Sequence, residues 1–319
     1  STPAAYGLNA RLANGTANIA GRLVVVAAAP DAARTTLDLV DDGAVADGDH
    51  AVRFVVSAHD RFGNPVIGLP VPFTFTGEQN TLAPSATPTT DSEGEAVLEL
   101  RSRRAGLRLW GATVGPLSFD GQAVLVPGPP DPEATSVRFL PSAGVVADGT
   151  SPATVEVVAR DAQGNVIGGL PVTLDSDDVA FEPASGETDA VGSFVSVATS
   201  STAGKRAIEA TIGEGVVALG EATFVPGPVD AESSTITSPN APVVANGFQK
   251  ALVVFTARDA AGNVVPGVTV GFSTAANDAG LSRTSAITGA NGTAAIEATR
   301  TVSQPLAVSA QVLGGVLVT

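Results

Sequence analysis

Apolar and polar positions alternate with a period of two in short runs along most of the chain. The clearest run occurs in three versions, each just ahead of an Asp-x-x-Gly-Asn motif: Phe54, Val56, Ala58; Val155, Val157, Ala159; and Val253, Phe255, Ala257. Their neighbours His59, Arg160 and Arg258 then fall on the opposite side, toward water. That is the signature of a half-buried strand. Val71 and Phe73, Val172 and Leu174, and Val270 and Phe272 repeat the pattern downstream. A third set, Ala96/Leu98/Leu100, Phe194/Ser196/Ala198 and Ala294/Ile296/Ala298, follows a Thr-Asp-x-x-Gly turn.

The runs belong to a longer period. Ala46-Asp47-Gly48, Ala147-Asp148-Gly149 and Ala245-Asn246-Gly247 are separated by 101 and 98 residues. Asp60-Arg61-Phe62-Gly63-Asn64, Asp161-Ala162-Gln163-Gly164-Asn165 and Asp259-Ala260-Ala261-Gly262-Asn263 recur at the same two intervals. Thr90-Asp91-Ser92-Glu93-Gly94 returns as Thr188-Asp189-Ala190-Val191-Gly192 and, weakened, as Thr288-Gly289-Ala290-Asn291-Gly292. A period near 100 residues is a domain length, so the pattern predicts separate folded beads rather than a solenoid. Short strands with a turn signal about every 8–12 residues predict an all-β, immunoglobulin-like sandwich for each bead.

Val126-Pro127-Gly128-Pro129 and Val225-Pro226-Gly227-Pro228 read as stiff linkers, with Ala28-Ala29-Pro30 as a degenerate copy. The expected domains are therefore 31–130, 131–229 and 230–319. Residues 1–30 align with the last two strands of a bead, since Tyr6–Leu12 matches Arg206–Ile212. Leu306–Val312 matches the same strand, so the third bead is expected to lack its final strand. Both ends then expose sheet edge.

Composition narrows the function classes. The 319 residues include 35 Gly and 22 Pro, which excludes a coiled coil or helical bundle. With no Cys there is no disulfide framework, thiolate metal site or cysteine nucleophile. No continuous apolar stretch is long enough to span a membrane, and membrane insertion is not expected. The formal charge of −15 argues against nucleic acid and anionic membrane surfaces.

Candidate chemistry is sparse. Asp60, Asp161 and Asp259 are read as turn residues whose carboxylates bond nearby amides, because an isolated Asp is far from the six to eight oxygens that calcium takes. Asp47 and Asp148 are read as solvated surface charge. His50 and His59 occur once each and are read as surface residues. Asn14-Gly15-Thr16 and Asn291-Gly292-Thr293 match glycosylation acceptors but are read as turns. Trp110 and Tyr6 are expected to face inward. No catalytic, metal or cofactor-binding residue is assigned, and no enzymatic activity or cofactor is expected.

Taken in order, Val-Ala-Asp-Gly, Ala-Arg-Asp-Ala-x-Gly-Asn-Val and Thr-Asp-x-x-Gly resemble the bacterial Ig-like domains of the intimin/invasin type, over all three beads and the N-terminal fragment. The resemblance implies tandem Ig-like domains in an elongated array, the stalk or spacer of an extracellular bacterial adhesin or cell-surface filament. It implies neighbouring Ig-like domains or identical subunits as partners, with host receptors met through other regions. Strands of about ten residues would make each bead ~35–40 Å long. Head-to-tail strand complementation by residues 1–30 is a variant of this reading. A carbohydrate- or receptor-binding module and an accessory region of a secreted enzyme are the alternatives.

Overall fold

The alternating runs lie in strands or directly beside them, and the residues of those runs expected to face inward are buried. The structure is a computed structural model that describes residues 4–11, 18–238, 242–313 and 317–318. Among these there is no helix. The chain divides into two compact units, residues 1–134 with 160–167, and residues 135–159 with 168–319.

The first unit begins with β1 (Ala4–Arg11) and β2 (Asn18–Val25), an antiparallel pair in register from Ala4↔Val25 to Arg11↔Asn18. The side chain of Tyr6 and the Asn14-Gly15-Thr16 segment lie outside the described parts. The first repeat follows: β3 (Thr36–Val40), β4 (Ala44–Val45), β5 (Val52–Ser57), β6 (Phe73–Phe75), β7 (Asn80–Ala83), β8 (Glu95–Ser102), β9 (Gly106–Val114) and β10 (Leu117–Val126). These make two four-stranded sheets, β3-β5-β8-β7 and β4-β10-β9-β6. Between them Val52, Phe54, Val56, Val71, Leu98, Leu100 and Val114 are wholly buried. Phe54 is the centre of an aromatic cluster, edge-on to Phe73, Phe75 and Trp110 with centroids 5.2–5.5 Å away.

The second repeat comprises β11 (Ser136–Leu140), β12 (Val145–Val146), β13 (Ala153–Val158), β14 (Pro171–Asp175), β15 (Ala180–Glu182), β16 (Ser185–Glu187), β17 (Ser193–Thr199), β18 (Gly204–Ile212) and β19 (Val216–Val225). Its sheets are β11-β13-β17-β15 and β12-β19-β18-β14-β16. The first repeat has no strand at the place of β16. There Pro88, at the place of Gly186, cannot donate to a ladder, although Phe73 and Val71 still bond the carbonyls of Ala86 and Pro88. In both repeats a two-residue strand runs parallel to the end of the last long strand, Ala44↔Leu125 and Val145↔Phe224.

The third repeat has β20 (Thr235–Thr237), β21 (Ala251–Thr256), β22 (Thr269–Ser273), β23 (Ala279–Leu281), β24 (Ser285–Ile287), β25 (Thr293–Arg300), β26 (Ser309–Val312) and β27 (Leu317–Val318). Its sheets are β20-β21-β25-β23 and β24-β22-β26-β27. Leu317 pairs with Gln311 as Val217 pairs with Thr211, so β27 occupies the place where the last strand of a repeat starts.

One core position differs between repeats in a testable way. Ser196 is 1% exposed where the other repeats place Leu98 and Ile296, and its hydroxyl donates only a long bond, 3.4 Å, to Val197 O. Ser196→Ala exchanges a weakly satisfied buried hydroxyl for a methyl. It is expected to leave stability unchanged or raise it by up to about 1 kcal/mol in denaturant unfolding.

Candidate functional site

The motif that recurs most faithfully, Asp-x-x-Gly-Asn, forms the same five-residue loop three times. Each follows the strand that carries the alternating run, at Ala58, Ala159 and Ala257. In each, the Asp N–H donates to the Asn carbonyl (2.9, 3.0 and 2.9 Å) and the Gly N–H to the Asp carbonyl (2.9, 2.9 and 3.0 Å). Gly63, Gly164 and Gly262 take φ of 84, 84 and 87°, which a side chain would strain, so glycine is required there.

The carboxylate organises the loop. Asp161 Oδ1 accepts from the N–H groups of Gln163 (3.0 Å) and Asn165 (2.8 Å), and Asp259 Oδ1 from Ala261 (3.0 Å) and Asn263 (2.8 Å). The second oxygen reaches the linker: Ala28 N–H donates to Asp60 Oδ2 (3.1 Å), Gly128 N–H to Asp161 Oδ2 (2.9 Å) and Gly227 N–H to Asp259 Oδ2 (2.8 Å). Asp31, Asp131 and Asp230 then donate their N–H groups to the carbonyls of His59, Arg160 and Arg258, each at 2.8 Å. The linkers are thus stitched along one edge of the loop that follows them in space. Hydrogen bonding from the Asn64 amide holds Asp60 well below the ordinary carboxylate range. For Asp259, burial pushes the pKa up, but bonds from Asn263 and from the Gly227 and Ala261 amides outweigh it and the net direction is down.

The motif asparagine reaches back to the preceding repeat. Within the first unit, Asn165 Oδ1 accepts from Ala105 N–H (3.0 Å), and Asn165 Nδ2 donates to Arg103 O (3.1 Å) and Asp161 Oδ2 (2.8 Å). Within the second unit, Asn263 Oδ1 accepts from Ala203 N–H (2.9 Å), and Nδ2 donates to Ser201 O (3.0 Å), Ala147 O (3.2 Å) and Asp259 Oδ2 (3.0 Å). One amide therefore reads the peptide groups of the β8–β9 loop, or of its β17–β18 counterpart, as a neighbouring strand would. Asp and Asn form a latch: Asp holds the linker, Asn holds the repeat before it.

The remaining candidates have local work. Asp47 and Asp148 are more than solvated charges, because each carboxylate caps its own turn. Asp47 Oδ1 accepts from the N–H groups of Asp49 and His50 while Oδ2 lies 2.6 Å from His50 Nδ1. The amide bonds from His50 and Asp49 pull the Asp47 pKa down to about 2. Asp148 Oδ1 takes Thr150 and Ser151 N–H, and the Ser151 amide is the largest cause of its lowered pKa. In the third repeat Asn246 serves the same turn through Phe248 and Gln249 N–H. Asn291 Oδ1 accepts from Thr293 N–H and Oγ1, a turn as expected. His59 is half-buried beside Ser57, 3.4 Å from its hydroxyl. Trp110 packs inward on Phe54, and its Nε1 is buried without a partner. Among the described residues no three His, Asp or Glu side chains are grouped to hold a metal ion.

Three sandwich repeats of this topology place the chain among bacterial Ig-like repeat proteins. The chain belongs to the bacterial Ig-like domain (group 1) family, whose model matches residues 34–123, 140–225 and 233–319. It is 25% identical over 318 residues to the inverse autotransporter adhesin YeeJ of Escherichia coli K12, covering 97% of this chain and 13% of that protein. The chain thus spans a small part of the curated relative it matches. Its fold is that of the E. coli adhesin FdeC (TM-score 0.55, 22% identity, 91% of this chain and 96% of that one). It is also that of invasin, a bacterial integrin-binding protein (TM-score 0.52, 20% identity, 89% and 57%). This is a bacterial Ig-like domain region similar to parts of these adhesins.

Proposed function

We propose that this region is a spacer in the stalk of a bacterial surface adhesin, non-enzymatic and extracellular, with domains at 31–130, 131–229 and 230–319 and residues 1–30 closing a preceding one. The observation that carries the reading is the latch. The same Asp and Asn bond the linker and the preceding repeat at two successive junctions, through backbone groups that do not depend on side-chain identity. A stalk needs junctions that resist bending, and four or more short hydrogen bonds at each junction restrict the relative motion of neighbouring repeats far more than a free linker would. The absence of Cys and Met also suits an exposed location, since no oxidisable sulfur is offered. Adhesion itself then belongs to other parts of the full protein.

Small-angle scattering of the 319-residue chain tests this directly. A rod-like profile with a maximum dimension of about 100 Å or more is expected from three ~35–40 Å beads, and a compact profile would refute the spacer reading. Asn165→Ala combined with Asn263→Ala should leave the far-ultraviolet spectrum unchanged while broadening the distance distribution. Each substitution removes about 1–2 kcal/mol of coupling between repeats.

A further inference from the structure

One turn, present in all three repeats, is covered by side chains in the first and third and left open in the second. Gly48, Gly149 and Gly247 hold it in place, their N–H groups donating to Ser102 O (3.1 Å), Ser200 O (2.9 Å) and Arg300 O (3.1 Å). In the first repeat two arginines lie over the turn. Arg103 runs across Gly48, with Nε and Cγ 3.0 and 3.1 Å from where a Cβ on that glycine would stand, and Arg101 Nε donates to Asp49 O (3.0 Å). In the third repeat the Thr301 methyl comes to 3.2 Å from the same point on Gly247.

The second repeat has Thr199 and Ser201 at the places of Arg101 and Arg103, an equivalence the latch fixes by bonding Arg103 O at one junction and Ser201 O at the other. The atom nearest the equivalent point on Gly149 is Ser201 Cβ, at 3.9 Å. The shorter side chains leave a cavity of about 390 Å³, whose lining includes Gly149, Asp178, Ala180, Thr199, Ser200 and Ser201.

The lining is held in place and carries one sign of charge. Ser200 is 3% exposed, and its hydroxyl donates to Asp178 O (2.6 Å) and accepts from Thr202 N–H (3.0 Å). Asp178 takes φ of 61°, and its side chain is 61% exposed. The nearest cation, Arg206, stands 3.8 Å from Asp178 Oδ2, beyond hydrogen-bond reach. A carboxylate accepts at about four lone-pair sites, so Asp178 can take a second guanidinium. Among the described residues no Lys, Arg or His lines the cavity.

We propose that this cavity is a receptor for a guanidinium group, the arginine side chain of a basic partner polypeptide. The first repeat shows an arginine stem packing on this same turn glycine, and the second repeat offers the seat without the side chain. A planar fork of N–H donors suits one carboxylate flanked by the Thr199 and Ser201 hydroxyls, while the apolar stem would lie on Gly149 and Ala180. The chain's charge of −15 draws a basic partner toward it. The proposal adds a docking point to the spacer and does not depend on that reading.

The test is a titration of the whole chain at constant ionic strength, followed by the backbone amide resonances of Gly149, Asp178 and Ser201. The probes are N-acetyl-arginine amide, its lysine counterpart, and its citrulline counterpart, which keeps the shape and lacks the charge. Saturable shifts are expected for the arginine probe with Kd of about 1 mM, binding at least about 5-fold weaker for lysine, and none for citrulline. Asp178→Asn, a residue that tolerates the left-handed φ, should weaken binding at least about 10-fold. Ser201→Arg, which restores what the first repeat has, should fill the seat from within and abolish binding. An unchanged far-ultraviolet spectrum shows that both variants fold. No saturation with the arginine probe, equal binding of the lysine or citrulline probe, or binding that survives Ser201→Arg would overturn the proposal. None of these outcomes bears on the spacer reading, whose test is shape.

Discussion

Asp259→Ala is expected to lower the stability of the third repeat and its attachment by about 2–4 kcal/mol. The carboxylate is 3% exposed and accepts four hydrogen bonds, from the backbone of Ala261, Asn263 and Gly227 and from the Asn263 amide. Alanine leaves those donors without a partner in a loop where water reaches only some of them. The loss exceeds that of a single bond because the acceptor is charged, and falls short of four because the bonds are cooperative and the exposed Ala261 N–H can be hydrated. Asp259→Asn separates the two halves of the role. Its one carbonyl oxygen can keep the loop bonds, but its NH2 cannot accept from Gly227, so about half the loss is expected, concentrated in the linker. Guanidinium unfolding followed with amide exchange at Gly227 and Ala261 reads both. Exchange at Gly227 that stays slow in Asp259→Asn would refute the division of labour.

The loop was legible in the sequence and the latch was not, for a physical reason. Within the motif, Asp, Gly and Asn have local explanations: a carboxylate that caps its own turn, a left-handed glycine, an amide that bonds the Asp. Nothing further is needed to account for Asn165, so one sequence offers no reason to look for a partner 60 residues away. The partner also leaves no trace, because Asn165 and Asn263 bond peptide groups of Arg103, Ala105, Ser201 and Ala203, whose side chains have nothing in common. The core was legible for the opposite reason. Burial acts on side chains, so Phe54, Val155 and Val253 announce their side of the sheet by alternation.

Three further differences follow the same logic. Ala-Asp-Gly was read as surface charge because exposure and acidity were visible, while the amide bonds that fill Asp47 and Asp148 depend on a left-handed Gly48 and Gly149, φ 90 and 79°. Arg108 alternates in phase with Trp110, Ala112 and Val114 and so falls on the inward face, yet an arginine there reads as an exception until its four neutral acceptors, Asn80 Oδ1, Leu107 O, Ser102 Oγ and Arg104 O, are seen. The short parallel pairs Ala44↔Leu125 and Val145↔Phe224 involve two residues each, too few to show a period.

Acid should open the chain through these same carboxylates. Asp47, Asp60, Asp148, Asp259 and Asp278 all bind a proton less readily when folded than a free carboxylate does. A depressed folded pKa contributes stability that is complete above the unfolded value, near 4, and is lost as pH falls through the folded value. For Asp47 that window runs from about 4 down to about 2. Denaturant midpoints are therefore expected to be flat from pH 8 to about 5 and to fall steeply below about 4. The junctions should respond in order. Asp259 is protonated only when its bonds to Gly227 and Asn263 break, so the distance distribution in solution scattering should broaden at or before the pH where the strands are lost. Asp148→Asn, which has no negative charge to lose on acidification, should flatten the acid limb of the profile. An acid limb of unchanged depth and midpoint in Asp148→Asn would show that this carboxylate does not contribute to it.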